Sequence, residues 1–137
     1  MSTTKPLRYG FAITILSIIA AFFYLLHQYF LQPWLELATS QNRIVEQHLL
    51  LYLITVIILS LIYFLRQKFG ARLGFILLGL LLIKMMLVAG YAYAQGWLEA
   101  DADYQEKAVF MFYYMGYLIA LVGICFNWIQ QAMAPQK

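Results

Sequence analysis

The sequence predicts an all-α, polytopic membrane protein with four transmembrane helices in two antiparallel hairpins and both termini in the cytoplasm. Composition is the first reason. Of 137 residues, 64% are apolar, 18% aromatic and only 11% charged, against roughly 25% charged in an average soluble domain. A soluble chain this short has too little interior to hide so many Leu, Ile, Phe and Tyr side chains. The second reason is spacing: four apolar stretches, each near the roughly 20 residues that a helix needs to cross a bilayer, are joined by short polar links. The third is the distribution of Lys and Arg. No stretch alternates apolar and polar residues as a barrel strand does.

The first span covers about residues 9–31 and carries no charge. Lys5 and Arg8 before it resemble the start of a signal peptide. The run exceeds an h-region of about 7–15 residues, and Gln28, Tyr29, Gln32 and Pro33 follow in place of a small-x-small cleavage site, so it is read as an uncleaved span. The second, 49–65, is shorter and has a helical lead-in from Asn42. The third, 73–94, contains one charge, Lys84. The fourth, 108–129, holds Asn127 near its end. Asp103 and Glu106 suit the N-cap and third position of that last helix, where carboxylates meet free N–H groups and the positive end of the dipole. Links at 32–47, 66–72 and 95–107 make neighbouring helices antiparallel. With no internal repeat or linker, residues 1–137 read as one domain.

Orientation follows from the cations. Lys5, Arg8, Arg66, Lys68, Arg72 and Lys137 fall on one side. Arg43 and Lys107 fall on the other, with all six acids: Glu36, Glu46, Glu99, Asp101, Asp103 and Glu106. The positive-inside rule puts the first side in the cytoplasm, as for a multi-pass protein of a bacterial inner membrane. Trp34, Trp97 and Trp128 then lie at membrane–water boundaries. The net charge of +3 thus reflects sidedness, and no nucleic-acid partner is expected.

Lys84 is the anomalous residue. Eleven residues after Leu73 and ten before Ala94, it lies near the bilayer centre, where a lysine costs about 2.5–3.5 kcal/mol on insertion scales. No Asp or Glu sits within any span. Three readings stand: Lys84 bonds to hydroxyls and carbonyls inside the bundle; it lines a wet cavity with Tyr52, Tyr63, Tyr91 or Tyr117; or it meets a carboxylate on another membrane subunit. Tyr91 lies seven residues away on the same helical face. In the last span Tyr113, Gly116, Ala120, Gly123 and Asn127 recur at spacings of three and four, which fits either packing within the bundle or docking of a partner helix. Gly70 and Gly74 straddle a loop boundary and read as turn residues.

Other polar residues carry weaker signals. His27 and His48 fall at span ends. With Glu36 or Glu46 they make only a nominal metal set, since no HExxH spacing supports it. The acidic run Glu99-Ala100-Asp101-Ala102-Asp103-Tyr104-Gln105-Glu106 lacks the glycine and frame of a calcium loop. The lone Cys125 excludes an internal disulfide. No nucleophile–base pair or phosphate loop occurs, so neither an enzyme nor a cofactor is expected.

The segment Leu73-Gly74-Phe75-Ile76-Leu77-Leu78-Gly79, with Leu80 to Lys84 and Met85-Met86-Leu87, resembles the corresponding helix of ATP synthase protein I and of small four-span relatives encoded beside ATP synthase genes. The likeness runs over about 70 residues, from the second span to the fourth. That family has a glycine ahead of a lysine in an apolar helix, here Gly79 and Lys84. It usually places a glutamate directly after the glycine, where this chain has Leu80. The resemblance implies a non-catalytic accessory factor that helps assemble or stabilise the rotor ring of c subunits, with magnesium supply as a second family role. Its partners would be c subunits and the lipid bilayer, with a homo-oligomer also open. The residues expected to meet a partner are Lys84, Gly79, Tyr91, Gly116, Ala120, Gly123 and Asn127. The other classes are a small structural subunit of another membrane complex and a ligand-binding or transport module built around Lys84.

Overall fold

The computed structural model describes residues 7–37, 39–99 and 103–133. Lys5, Lys137, Ala100, Asp101 and Ala102, used in the charge and loop readings, lie outside them. Among the described residues the chain is all-helical. Helix α1 spans Tyr9–Leu26 and continues through a π-helical turn, His27–Leu31, into the single turn α2, Gln32–Trp34. Then come α3, Gln41–Phe69, a 3-10 turn at Gly70–Arg72, α4, Leu73–Ala94, and α5, Tyr104–Met133.

Counted as uninterrupted helical runs, three are long and apolar enough to cross a membrane: Tyr9–Trp34, Gln41–Ala94 and Tyr104–Met133. The expectation of four separate membrane helices is corrected to this extent. The second and third expected spans belong to one helical run, because no proline interrupts it and the polar residues Arg66, Gln67 and Lys68 remain in α3. The run nevertheless folds back on itself. Lys84 Nζ lies 3.2 Å from Thr55 Oγ1, 29 residues earlier, whereas a straight helix would set their backbones about 44 Å apart. The reversal is at Gly70, whose φ of 40° and ψ of −111° lie where a side chain would be strained.

Asp103 caps α5 as its position in the sequence suggests, accepting from the Gln105 N–H at 3.0 Å, and Ser40, which the sequence reading did not single out, opens α3 by accepting from the Arg43 N–H at 3.4 Å. Glu106 does more than favour the dipole. It reaches across to α3, accepting from Gln47 Nε2 at 3.2 Å and pairing with Arg43 Nε at 3.4 Å.

Helices α3 and α5 run parallel and form the centre, with α1 antiparallel on one flank and α4 antiparallel on the other; α1 and α4 do not pack against each other. Each helix turns one stripe inward at three- and four-residue spacing. On α3 this is His48, Leu51, Thr55, Ile58, Leu59 and Ile62. On α4 it is Leu73, Leu77, Lys84 and Val88. On α5 it runs from Phe110 through Tyr113, Tyr117, Leu121 and Ile124 to Trp128. The outer faces are apolar as well, with Phe22, Phe64, Phe75, Met86 and Ile119 all exposed, the pattern of helices surrounded by lipid.

Charge divides between the two ends. At one, the Trp128 indole donates to the Leu7 carbonyl at 2.8 Å, Tyr9 and Ser60 share a 2.7 Å bond, and the Arg66 guanidinium lies 4.0 Å over the Tyr63 ring. Arg8, Lys68 and Arg72 belong to this end. At the other, Arg43 donates through Nε to Gln95 Oε1 at 3.1 Å and faces Glu106, tying the entries to α3 and α5 to the exit of α4.

Candidate functional site

Lys84 is 0% exposed. It stands on the inward stripe of α4, so it faces α3 and α5 and not the lateral surface. In the isolated chain Lys84 points inward: eleven residues of α4 pass between the reversal at Gly70–Arg72 and Lys84, and that register turns it toward α3 and α5. Its ammonium donates to Thr55 Oγ1 at 3.2 Å. The Thr55 hydroxyl spends its own proton on the Leu51 carbonyl at 2.6 Å, which leaves its lone pairs for the lysine. The ammonium also lies 5.4 Å from the centre of the Tyr114 ring, within reach of a cation–π attraction. Of its three N–H donors one has a hydrogen-bond acceptor, and among the described residues the one ion pair is Arg43 with Glu106, elsewhere. Isolated charge buried in this way is costly.

The tyrosine cavity expected around Lys84 does not form. Tyr52 bonds Ser17 at 2.7 Å on the α1 side, Tyr63 packs on Arg66 and Trp128 at the charged end, and Tyr117 turns to His48. Tyr91 packs edge-on to Trp97 at 5.8 Å and against Phe110 at 5.7 Å, and its buried hydroxyl has no hydrogen-bond partner among the described residues. Tyr114, the aromatic residue beside Lys84, was missed although it lies on the buried side of α5.

The small residues of α5 do not act together either. A Cβ on Gly116 would meet the Phe23 ring at 2.7 Å, so Gly116 is a packing residue between α1 and α5; Gly123 and Gly79 have nothing within 4 Å. Ala120 is half-buried, and Asn127 accepts from Gln131 Nε2 at 2.9 Å on its own helix. This stripe is offset by about one residue, roughly 100°, from the stripe that forms the core.

Next to Lys84, α4 and α5 part into an apolar groove of about 320 Å³. Met85, Val88 and Ala92 line it from α4, Trp97 closes one end, and Phe110, Met111, Tyr114 and Lys107 line it from α5. Tyr114 is common to the groove and to the Lys84 environment.

A second polar centre lies on the other side of α3. His27 Nδ1 and His48 Nε2 are 3.1 Å apart, and His48 Nδ1 lies 3.4 Å from Tyr117 Oη. Tyr113 stacks on His27 with centroids 5.1 Å apart and meets His48 edge-on at 4.6 Å. Both histidines are buried between the helices. His48 is on the α3 core stripe. His27 follows Ala12, Leu16, Ala20 and Phe23 at spacings of four, four, three and four, and that signal was legible. Glu36 and Glu46 do not join them. Among the described residues no group of three or more His, Cys, Asp or Glu side chains is arranged to hold a metal ion.

Comparison with protein-family models, with curated proteins and with solved structures finds no match to this chain.

Proposed function

We propose that the chain is a non-catalytic accessory or assembly factor of a membrane complex, the F-type ATP synthase and its c-subunit ring foremost, and that Lys84 meets a carboxylate on the partner. In this reading Gln41–Ala94 crosses the membrane, reverses at Gly70–Arg72 and crosses back, giving four spans. Both termini and the Arg66–Arg72 segment lie in the cytoplasm of a bacterial cell, following the cation distribution.

The observation that carries the reading is the buried Lys84 ammonium with a single neutral acceptor. A charge at mid-span with no carboxylate in reach among the described residues is stabilised most by a counter-charge brought to it. The groove between α4 and α5 supplies the route, since a partner helix seated on Met85, Val88 and Met111 comes up against Tyr114, and Lys84 lies behind that ring. The likeness of residues 73–87 to ATP synthase protein I indicates which complex to look for, and a mid-membrane carboxylate is the defining feature of a c subunit.

The test is quantitative mass spectrometry of proteins co-purifying with the tagged full-length chain from mild-detergent membranes, beside Lys84→Leu. Enrichment of ATP synthase subunits with the wild type and its loss in Lys84→Leu is the expected result. Enrichment that survives the substitution removes the lysine contact, and a different fixed set of subunits removes the ATP synthase assignment.

A further inference from the structure

Where α3 passes into α4, a shallow groove of about 470 Å³ is lined by Phe69, Phe75 and Ile76 and rimmed by Arg72. We propose that it holds one anionic diacyl phospholipid, with the lipid phosphate on Arg72 and Lys68 and an acyl chain along Phe75 and Ile76. The site shares no residue with the groove between α4 and α5. It is independent of the partner reading, since it needs only that this end of α4 stands at a membrane surface.

The reversal of the chain places the cations. It is completed within the three residues Gly70–Arg72, so Lys68 in the last turn of α3 and Arg72 at the threshold of α4 come to one short rim, both exposed. Lys68 Nζ lies 5.6 Å from the centre of the Phe69 ring, and that ring is also a wall of the groove that Arg72 rims. Arg66 is engaged within the chain instead, over Tyr63 at 4.0 Å and near the Trp128 ring at 5.9 Å. Among the described residues neither Lys68 nor Arg72 has an ion-pair partner. The acids Glu36, Glu46, Glu99, Asp103 and Glu106 all belong to the opposite end, before α3 and α5 and after α4 or in their first turns.

Charge and apolar surface together choose the occupant. Arg72 immediately precedes the apolar run of α4, so an anion held there stands at the depth of lipid headgroups, and the wall that continues from it faces hydrocarbon. Phe75 is 79% exposed, so no described segment of the chain covers that wall. A free phosphate would use the cations and leave the wall bare. A zwitterionic lipid would bring its own cation up to two like charges. A lipid with a net negative head meets both demands: its phosphate oxygens accept from the planar fork of Arg72 and from the compact ammonium of Lys68, and its chain covers the apolar wall. Basic pockets at the ends of membrane helices recognise anionic headgroups in this way.

The test is native mass spectrometry of the full chain released from detergent and titrated with dioleoyl phosphatidylglycerol or dioleoyl phosphatidylcholine. It compares wild type, Arg72→Gln, Lys68→Gln combined with Arg72→Gln, and Arg8→Gln. Arg8 is an exposed cation at the same end, at the start of α1, so Arg8→Gln removes an equal charge from the other flank, and each variant's melting transition reports that it has folded. The expected result is a first phosphatidylglycerol bound more tightly than phosphatidylcholine by wild type and Arg8→Gln. Its Kd should rise about fivefold in Arg72→Gln and further, to the phosphatidylcholine level, in the double variant. Equal affinity of wild type for the two lipids, an unchanged Kd in Arg72→Gln, or an equal loss in Arg8→Gln would each overturn the proposal. Displacement of the bound lipid by glycerol phosphate at the same concentration would overturn it too, in favour of a free phosphate.

Discussion

Lys84 and the His27–His48 pair are both polar groups inside an apolar bundle, one on each flank of α3, and they are satisfied differently. The histidines face each other at 3.1 Å, one of them bonds Tyr117, and Tyr113 covers both rings. Lys84 has one threonine oxygen and the face of one aromatic ring. The packing follows the same division. Phe23 of α1 sits against Tyr113 and Tyr117 at 5.4 and 5.3 Å, whereas α4 parts from α5 at the groove beside Lys84. A polar centre satisfied within the chain lies under a closed seam, and one left short of acceptors lies beside an open one.

The largest effect expected from disturbing this contrast comes from Gly116. Gly116→Leu forces side-chain atoms into the Phe23 ring that closes the α1–α5 seam. Overpacking of that kind costs about 1–3 kcal/mol or more, and melting in mild detergent should show a marked loss, partly recovered by adding Phe23→Ala. Next is Thr55→Val, which removes the one acceptor of Lys84 and leaves a buried donor unmet, at a cost of about 1–3 kcal/mol. In the same assay the double variant Thr55→Val with Lys84→Leu should be more stable than Thr55→Val alone, because the orphaned charge is gone. His27→Leu should cost about 1–2 kcal/mol by stranding one His48 nitrogen, and the added cost of His48→Leu should be smaller than its cost alone, a coupling that a double-mutant cycle measures. Gly123→Ala should be the mildest. It meets nothing within 4 Å and should raise helix stability by about 0.5–1 kcal/mol. A clear loss there would mean that this face is occupied.

Much of this contrast was legible in the sequence. The spacing of Leu73, Leu77, Lys84 and Val88 already places the lysine on a shared stripe, and His48 with Leu51, Thr55 and Ile62 does the same for α3. The helical lead-in before the second span and the Asp103 cap were also readable, because both rest on local chemistry. Three things were not. When every face of a helix is apolar, periodicity in polarity is weak, and the α5 stripe was placed on Gly116, Ala120 and Gly123, about one residue away from Tyr117 and Leu121. The π turn at His27 changes the register of α1 through a ladder shift just ahead of Pro33, and a proline does not by itself say whether the ladder ends, kinks or resets. Tyr114 comes to Lys84 because of the relative stagger of α4 and α5, and Tyr63 does not because the stagger of α3 and α4 sets Lys84 opposite Thr55; stagger is set by packing across helices.

The central claim is that a carboxylate from outside the chain completes Lys84. The most direct measurement is carbodiimide coupling in intact membranes, which joins an amine directly to a carboxylate it touches, followed by mass spectrometry of peptides containing Lys84. The account predicts a Lys84 peptide linked to a carboxylate-bearing transmembrane peptide of another subunit, absent when Thr55 and Lys84 are both replaced. A Lys84 peptide recovered wholly unlinked from membranes in which the partner co-purifies would contradict it.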